Sequence, residues 1–313
     1  MGALDPVVMF FVLGLAAGLL RAELRLPAAI YDFVSAILLL AIGLKGGVQL
    51  ATQPLGALAG NVLLVILLGL LLPLLAFPVL RLAGRLSRAD SASIAAHYGS
   101  VSVGTYAVAI SWAAREGLAY EEYIPLFVVL LEVPAILVGI LLARGVTRQT
   151  QWRPLARELF LGKSVVLLLG GLAIGWAAGA DGIAPLEPLF FDLFKGVLAL
   201  FLLEMGLIAS AQLAGVLRHG LFLLAFGVLA PIAFACVGIG FGSLMGLSPG
   251  GVMLLAVLAG SASYIAAPAA MRTAVPEANP ALSLTASLAV TFPFNIIVGI
   301  PLYHWLAGAL TAG

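Results

Sequence analysis

"GSVSVGT" occupies residues 99–105, between "SIAAHY" and "YAVAISW". Both flanks are apolar enough to share one membrane helix, yet the middle holds two serines and a threonine bracketed by glycines. Residues 260–272, "GSASYIAAPAAMR", set the same G-S-x-S into a second hydrophobic stretch. Glycine weakens a helix, and serine hydroxyls compete for its backbone partners. Inside a bilayer each freed N–H or C=O must find a partner, so irregular backbone survives only where protein buries it or a cavity is lined by it. The two stretches predict two helices, each interrupted near the middle of the membrane.

The rest of the chain supplies the membrane. Of 313 residues, 63% are hydrophobic and 9% charged, and the mean hydropathy is +1.19. A soluble domain carries about 25% charged residues, so a water-facing surface cannot be built from this supply. Long apolar runs, rather than alternation, predict an all-α integral membrane protein. The single cysteine, Cys236, leaves no intrachain disulfide and no cysteine-based zinc site. "MGALDPVVMFFVLG" carries Asp5 where a leader peptide wants positive charge, so it reads as the first spanning helix.

At about 20 residues per span, ten segments are predicted, near 6–20, 27–44, 59–80, 89–112, 123–143, 164–179, 188–208, 217–243, 250–271 and 281–310. Pro293 and Pro301 predict a kink or break in the last. The chain also repeats itself. "IGLKGGVQL" (42–50) matches "MGLIASAQL" (205–213), "GLAAG" (14–18) matches "GLAIG" (171–175), and "GSVS" (99–102) matches "GSAS" (260–263). "VGI" recurs at 138–140 and 298–300, each time shortly after a proline, Pro134 or Pro293. Four matches in one order, at offsets of 157–163 residues, predict two five-helix units, 1–143 and 164–313, joined by a basic linker at 144–163. Five is odd, so the second unit enters from the opposite side, as inverted repeats do in many secondary transporters.

Charge gives the orientation. With the linker in the cytoplasm, that side receives Arg21, Arg25, Arg81, Arg85, Arg88, Arg144, Arg148, Arg153, Arg157, Lys163, Arg218 and Arg272, against Lys45, Arg115 and Lys195 outside. Twelve against three satisfies the positive-inside rule and puts both termini outside.

The twin G-S-x-S elements occupy equivalent positions in inverted copies, so they are expected to face each other at the midplane. Half-helix N-termini and serine hydroxyls there suit an anion, and unwound carbonyls suit a sodium ion. The other glycine runs, "GLAAG", "GGLAIGWAAG" and "GIGFG", read as helix packing. Glu132 and Glu204 are ionisable residues within spans and so candidates for a cation or a proton; Asn295 is a further polar candidate. His97 reads as a packed histidine. Arg272, at the inner end of its span, either snorkels to the surface or adds positive charge to an anion's path. Nothing in the chain has the form of a catalytic serine–histidine or HExxH motif, and the basic residues track one leaflet rather than a nucleic-acid face.

Four stretches, "YGSVSVGTYAVA", "LFVVLLEVPAILVGI", "MLLAVLAGSASYIAAPAAMRTAVPEANPA" and "FNIIVGIPLY", resemble the cyanobacterial-type sodium-dependent bicarbonate transporters. R-x3-P-x2-NP (Arg272, Pro276, Asn279, Pro280) is among the most specific elements. The resemblance covers nearly the whole chain. It implies a five-plus-five inverted fold with core and gate domains, broken helices four and nine, a homotrimer in a bacterial inner membrane, and bicarbonate uptake by sodium symport without a cofactor. It implies an anion site at Ser100, Val101, Ser102, Thr105, Ser261, Ala262 and Ser263, with sodium beside it; with the bracketing Gly99 and Gly260 added to the anion site, the candidate residues for the coupling ion are Ser102, Glu132, Ser263, Tyr264 and Asn295. Tyr264 stands where cyanobacterial members carry an acid, and Glu132 where they carry aspartate. The short linker gives no reason to expect the PII-like regulator that those members bind. A proton-coupled or uncoupled carrier of another small anion, or an anion channel, remains the alternative.

Overall fold

The computed structural model describes residues 5–311, apart from 25–26, 54, 146–155 and 158–159. Most of the 144–163 linker lies outside the described residues. Among them, the helices are α1 (Pro6–Leu19), α2 (Ala28–Ala51), α3 (Ala59–Leu82), α4 (Arg88–Gly99), α5 (Val103–Arg115), α6 (Pro125–Arg144) and α7 (Lys163–Ile183). They continue with α8 (Phe194–Leu213), α9 (Gly220–Leu244), α10 (Pro249–Ala259), α11 (Ala266–Ala274) and α12 (Pro280–Leu310). Among the described residues, seven are long and apolar enough to cross a membrane: α2, α3, α6, α7, α8, α9 and α12. The chain is an all-α, multi-pass membrane protein.

Local chemistry sets these boundaries. Gly220 separates α8 from α9 with φ 85°, a conformation open to glycine at little cost. Ser87 caps α4 by accepting from Asp90 N–H at 3.0 Å, and Ser248 caps α10 by accepting from Gly251 N–H at 3.2 Å. The kink or break expected at Pro293 takes a milder form. α12 stays continuous, and π-helical turns at Thr285–Thr291 and Asn295–Gly299 flank the proline. Proline lacks an N–H and crowds the carbonyl four residues back; wider turns relieve both.

α2 lies along α7 and α1 along α8, while α3, α4 and α6 pack together and α9, α10 and α12 form a neighbouring group. The α1–α8 contact is backbone to backbone: a Cβ on Gly14 would stand 2.0 Å from the Leu203 carbonyl oxygen. Small residues permit that approach, and in lipid the dispersion gained by it drives association. α4 from Ser91 to Gly99 and α10 from Gly250 to Ala259 are buried throughout. Large apolar side chains instead face outward on α1, α3 and α7, including Leu13, Leu63, Leu74 and Ile174. Such a belt suits a hydrocarbon solvent.

Candidate functional site

α4 ends at Gly99, and α5 begins at Val103. Ser100 between them is extended (φ −81°, ψ 178°). α10 ends at Ala259, and α11 begins at Ala266. The two interruptions are stitched to one another. Ser102 N–H donates to Ser261 Oγ at 2.9 Å, and Ser261 Oγ–H donates to the Leu258 carbonyl at 2.8 Å. Ser263 N–H donates to the His97 carbonyl at 2.8 Å. Each break therefore supplies partners for backbone that the other leaves open, as burial in an apolar medium demands.

The serine hydroxyls have distinct duties. Ser102 Oγ accepts from Thr105 N–H at 3.1 Å and from Thr105 Oγ–H at 2.8 Å. Both lone pairs are thereby occupied, and the hydroxyl proton is left to donate elsewhere. Ser263 Oγ accepts from Ala267 N–H at 3.2 Å and likewise keeps its proton. Two helix N-termini, each with a serine hydroxyl, thus converge. Thr105 acts by fixing Ser102. Ser100 Oγ is buried and has no hydrogen-bond partner among the described residues.

Val101, Ser102, Ser263, Tyr264, Glu132 and Ser164 line one small cavity at this junction. The centre of a water-sized body can range over about 10 Å³ of it, roughly the room that one water occupies. Glu132, on α6, is 4% exposed and has no ion pair or hydrogen bond among the described residues. The Tyr264 ring packs edge-on against Phe292 at 5.3 Å, and its hydroxyl reaches the first turn of α5 beside Ser102 and Gly104. A Cβ on Gly104 would stand 2.3 Å from that hydroxyl, so only glycine allows tyrosine its present place.

Of the residues expected at the site, Val101, Ser102, Ser263, Tyr264 and Glu132 meet in this cavity. Ser261 lies behind it as a stitch. Asn295 is elsewhere: its Nδ2–H donates to the Gly260 carbonyl at 2.8 Å, and its Oδ1 accepts from Tyr303 O–H at 2.6 Å. That amide holds the end of α10 and does not line the cavity. Glu204 does not line it either; Glu204 Oε2 is buried without a partner on α8. Ser164, Ile265 and Ala266 also line the cavity, though they belong to no motif in the sequence. A serine at the start of an apolar run, beside the basic Lys163, was the one available signal.

Two larger openings lie beyond. Glu132, Ser164, Ile265 and Ala266 also border a cavity of about 160 Å³ that includes Lys163. Lys163 Nζ pairs with Asp32 at 2.6 Å, which puts the start of α7 beside the start of α2. Lys45 is 13 residues further along α2, about 20 Å toward the opposite end. There a cavity of about 440 Å³ is lined by Lys45, Tyr106, Ser111, Tyr120, Glu122 and Lys195, among others. Lys45 pairs with Glu122 at 3.3 Å in that opening. Burial holds the Tyr120 phenol above its ordinary range, so it presents a neutral hydroxyl.

The chemistry on offer is binding rather than bond-making. Helix N-termini and serine protons favour a small anion, and one carboxylate beside them favours a small cation. Among the described residues, no group of three or more His, Cys, Asp or Glu could hold a metal ion. No curated protein matches the sequence. Residues 6–308 match the family described as the Na+-dependent bicarbonate transporter superfamily. With the match running over nearly the whole chain, the protein belongs to the Na+-dependent bicarbonate transporter superfamily, and it is a sodium-linked transporter of bicarbonate-like anions rather than an enzyme.

Proposed function

We propose that this chain imports bicarbonate by sodium symport, holding the anion between the N-termini of α5 and α11. Ser102 and Ser263 donate their hydroxyl protons to it, Gly99, Ser100, Val101, Gly260 and Ala262 shape the two breaks, and Thr105 and Ser261 fix the donors. Sodium sits at Glu132, with Ser263 and Tyr264 as oxygen ligands; Ser102, whose Oγ lone pairs Thr105 fills, serves the anion instead. Asn295 holds the α10 terminus and takes no part in binding the ion. The observation that carries the reading is the convergence of both interrupted helices and one unpartnered carboxylate on a single cavity.

On this reading the chain crosses the membrane ten times, in two inverted five-helix units. α4 with α5 forms the fourth crossing and α10 with α11 the ninth. α1, α2, α7 and α8 make the gate and the remaining helices the core. The capping serines support the repeat, since Ser87 and Ser248 are 161 residues apart, as are Gly99 and Gly260. The 144–163 linker is cytoplasmic, both termini are outside, and three copies assemble in a bacterial inner membrane.

The test is sodium-gradient-driven bicarbonate uptake into vesicles containing the purified protein. Ser102→Leu together with Ser263→Leu is expected to abolish it. Uptake by the unaltered protein that ignores both sodium and bicarbonate would overturn the assignment. A second reading, proton coupling, is favoured by one observation: Glu132 is the sole carboxylate among the described lining of the cavity, with Tyr264 at the other acidic position. Uptake that persists without sodium and follows a proton gradient would select it. Currents too large for a carrier would select a channel.

A further inference from the structure

A second cavity, of about 170 Å³, lies within the core between α4, α11 and the start of α12. Its lining shares no residue with the midplane cavity or with the opening beside Lys163. Arg272, Pro276 and Pro280 of the R-x3-P-x2-NP element border it, together with Ser93, His97 and Ser283. That element, so distinctive in the sequence, has no part in the midplane site.

His97 is 0% exposed. Its Nδ1 lies 2.7 Å from the Ser93 carbonyl; a carbonyl only accepts, so Nδ1 carries the proton. In the neutral ring Nε2 is then an acceptor, and it is buried with no hydrogen-bond partner among the described residues. An unfilled buried acceptor is costly, and what it lacks is a donor. Arg272 is the one charged side chain on the described lining. It is exposed and has no ion pair or hydrogen bond among the described residues. The nearby Asp90 carboxylate is already engaged, accepting from Asn279 N–H at 2.7 Å and from Ser87 Oγ–H at 2.6 Å.

We infer that this cavity is a second ligand site, built for a small oxyanion that carries its own O–H group, as bicarbonate and hydrogen phosphate do. The anionic oxygens face the Arg272 guanidinium, and the hydroxyl donates to His97 Nε2. An oxyanion of the same size without a proton, such as nitrate, satisfies the arginine but leaves the imidazole unfilled. The site also has a lever on transport. The His97 carbonyl accepts the Ser263 N–H, so an occupant between α4 and α11 braces the backbone contact that holds Ser263 at the midplane site. Only the choice of bicarbonate as first probe, and this lever, rest on the transport reading.

The experiment measures how fast a dicarbonyl reagent modifies Arg272 in the detergent-purified protein, read by peptide mass spectrometry. Arg21 in the same sample serves as the reference, which cancels any effect of the anion on the reagent. Bicarbonate is expected to slow Arg272 modification about threefold at twice its dissociation constant, as mass action requires. Nitrate at equal ionic strength is expected to slow it much less, since it engages only the arginine, and His97→Phe to remove the difference. Phosphate, run as a third arm, carries an O–H as well and is expected to protect Arg272 more than nitrate does. Equal protection by nitrate and bicarbonate, or protection by neither, overturns the inference. Should His97→Phe not fold, the nitrate comparison on the unaltered protein still decides. Failure of the transport reading shows separately, as absent uptake in vesicles, and does not touch the footprint.

Discussion

Ser102 combines two roles that a pair of substitutions can separate. As the N-cap of α5 it accepts from Thr105 N–H; as a donor it offers its proton to the cavity. Ser102→Ala removes both, at about 1 kcal/mol of stability for the cap, and is expected to weaken bicarbonate binding as well. Thr105→Val removes only the side-chain bond at 2.8 Å and is expected to cost less in both. Melting temperature and the half-saturating bicarbonate concentration, measured on the same preparations, give the two axes. A loss of stability in Ser102→Ala with unchanged half-saturation would confine the residue to capping. Glu132→Gln keeps the side-chain volume and removes the charge. It is expected to raise the half-saturating sodium concentration roughly tenfold, the equivalent of about 1.4 kcal/mol, with a smaller change in the bicarbonate curve. Uptake titrated against sodium checks this. That Ser102, Ser263 and Glu132 gather at one cavity was legible in the sequence, because polar groups in hydrocarbon need a reason to be there. Ser164, Ile265 and Ala266 were not, since no local pattern tells which residues of neighbouring helices face a shared void.

At the scale of the element, the breaks matter more than the helices they separate. Asn295 shows how a polar residue in a span can be legible as important and yet opaque in role. The sequence marks it as a candidate ion ligand, but its amide is spent on the Gly260 carbonyl and the Tyr303 hydroxyl. Pairing across 35 residues depends on how α12 lies against α10, which the spacing along the chain does not encode. Asn295→Leu leaves both partners buried and unpaired, at about 1–3 kcal/mol each. The variant is expected to melt several degrees lower in detergent, while any protein that stays folded keeps the sodium half-saturation of the unaltered chain. A large shift in that half-saturation would return Asn295 to the ion site. The course of α12 also had to be seen: Pro293 announces a disturbance, and only the packing around it decides between a kink, a break and the π-turns observed.

At the scale of the whole molecule, the cavity at the junction is too small for its proposed cargo. About 10 Å³ of free range admits one water-sized body, so a trigonal anion together with sodium requires α5 and α11 to separate or Tyr264 to swing away. The openings suggest how. The small cavity shares four lining residues with the opening beside Lys163, whereas Lys45 and Glu122 pair at 3.3 Å on the lining of the opposite opening. Lys45 lies on α2, in the proposed gate; Glu122 lies in the segment leading to α6, in the core. Both side chains are about half exposed, at 48% and 39%, so the pair contributes only about 0–1 kcal/mol. Such a contact can break and reform in each cycle without becoming the slow step. If gate and core part along this line, a carrier breaks the pair in each cycle, while a channel with a fixed path need not. Lys45→Cys with Glu122→Cys, made in a Cys236→Ala background, can be bridged by a short bifunctional thiol reagent. Bridging is expected to abolish sodium-driven bicarbonate uptake, and reductive release of the bridge to restore it. Bicarbonate binding, read as a melting shift that grows when sodium is present, is expected to survive, because the opening beside Lys163 is untouched. Uptake that continues at full rate in the bridged protein would mean that gate and core do not part along this line.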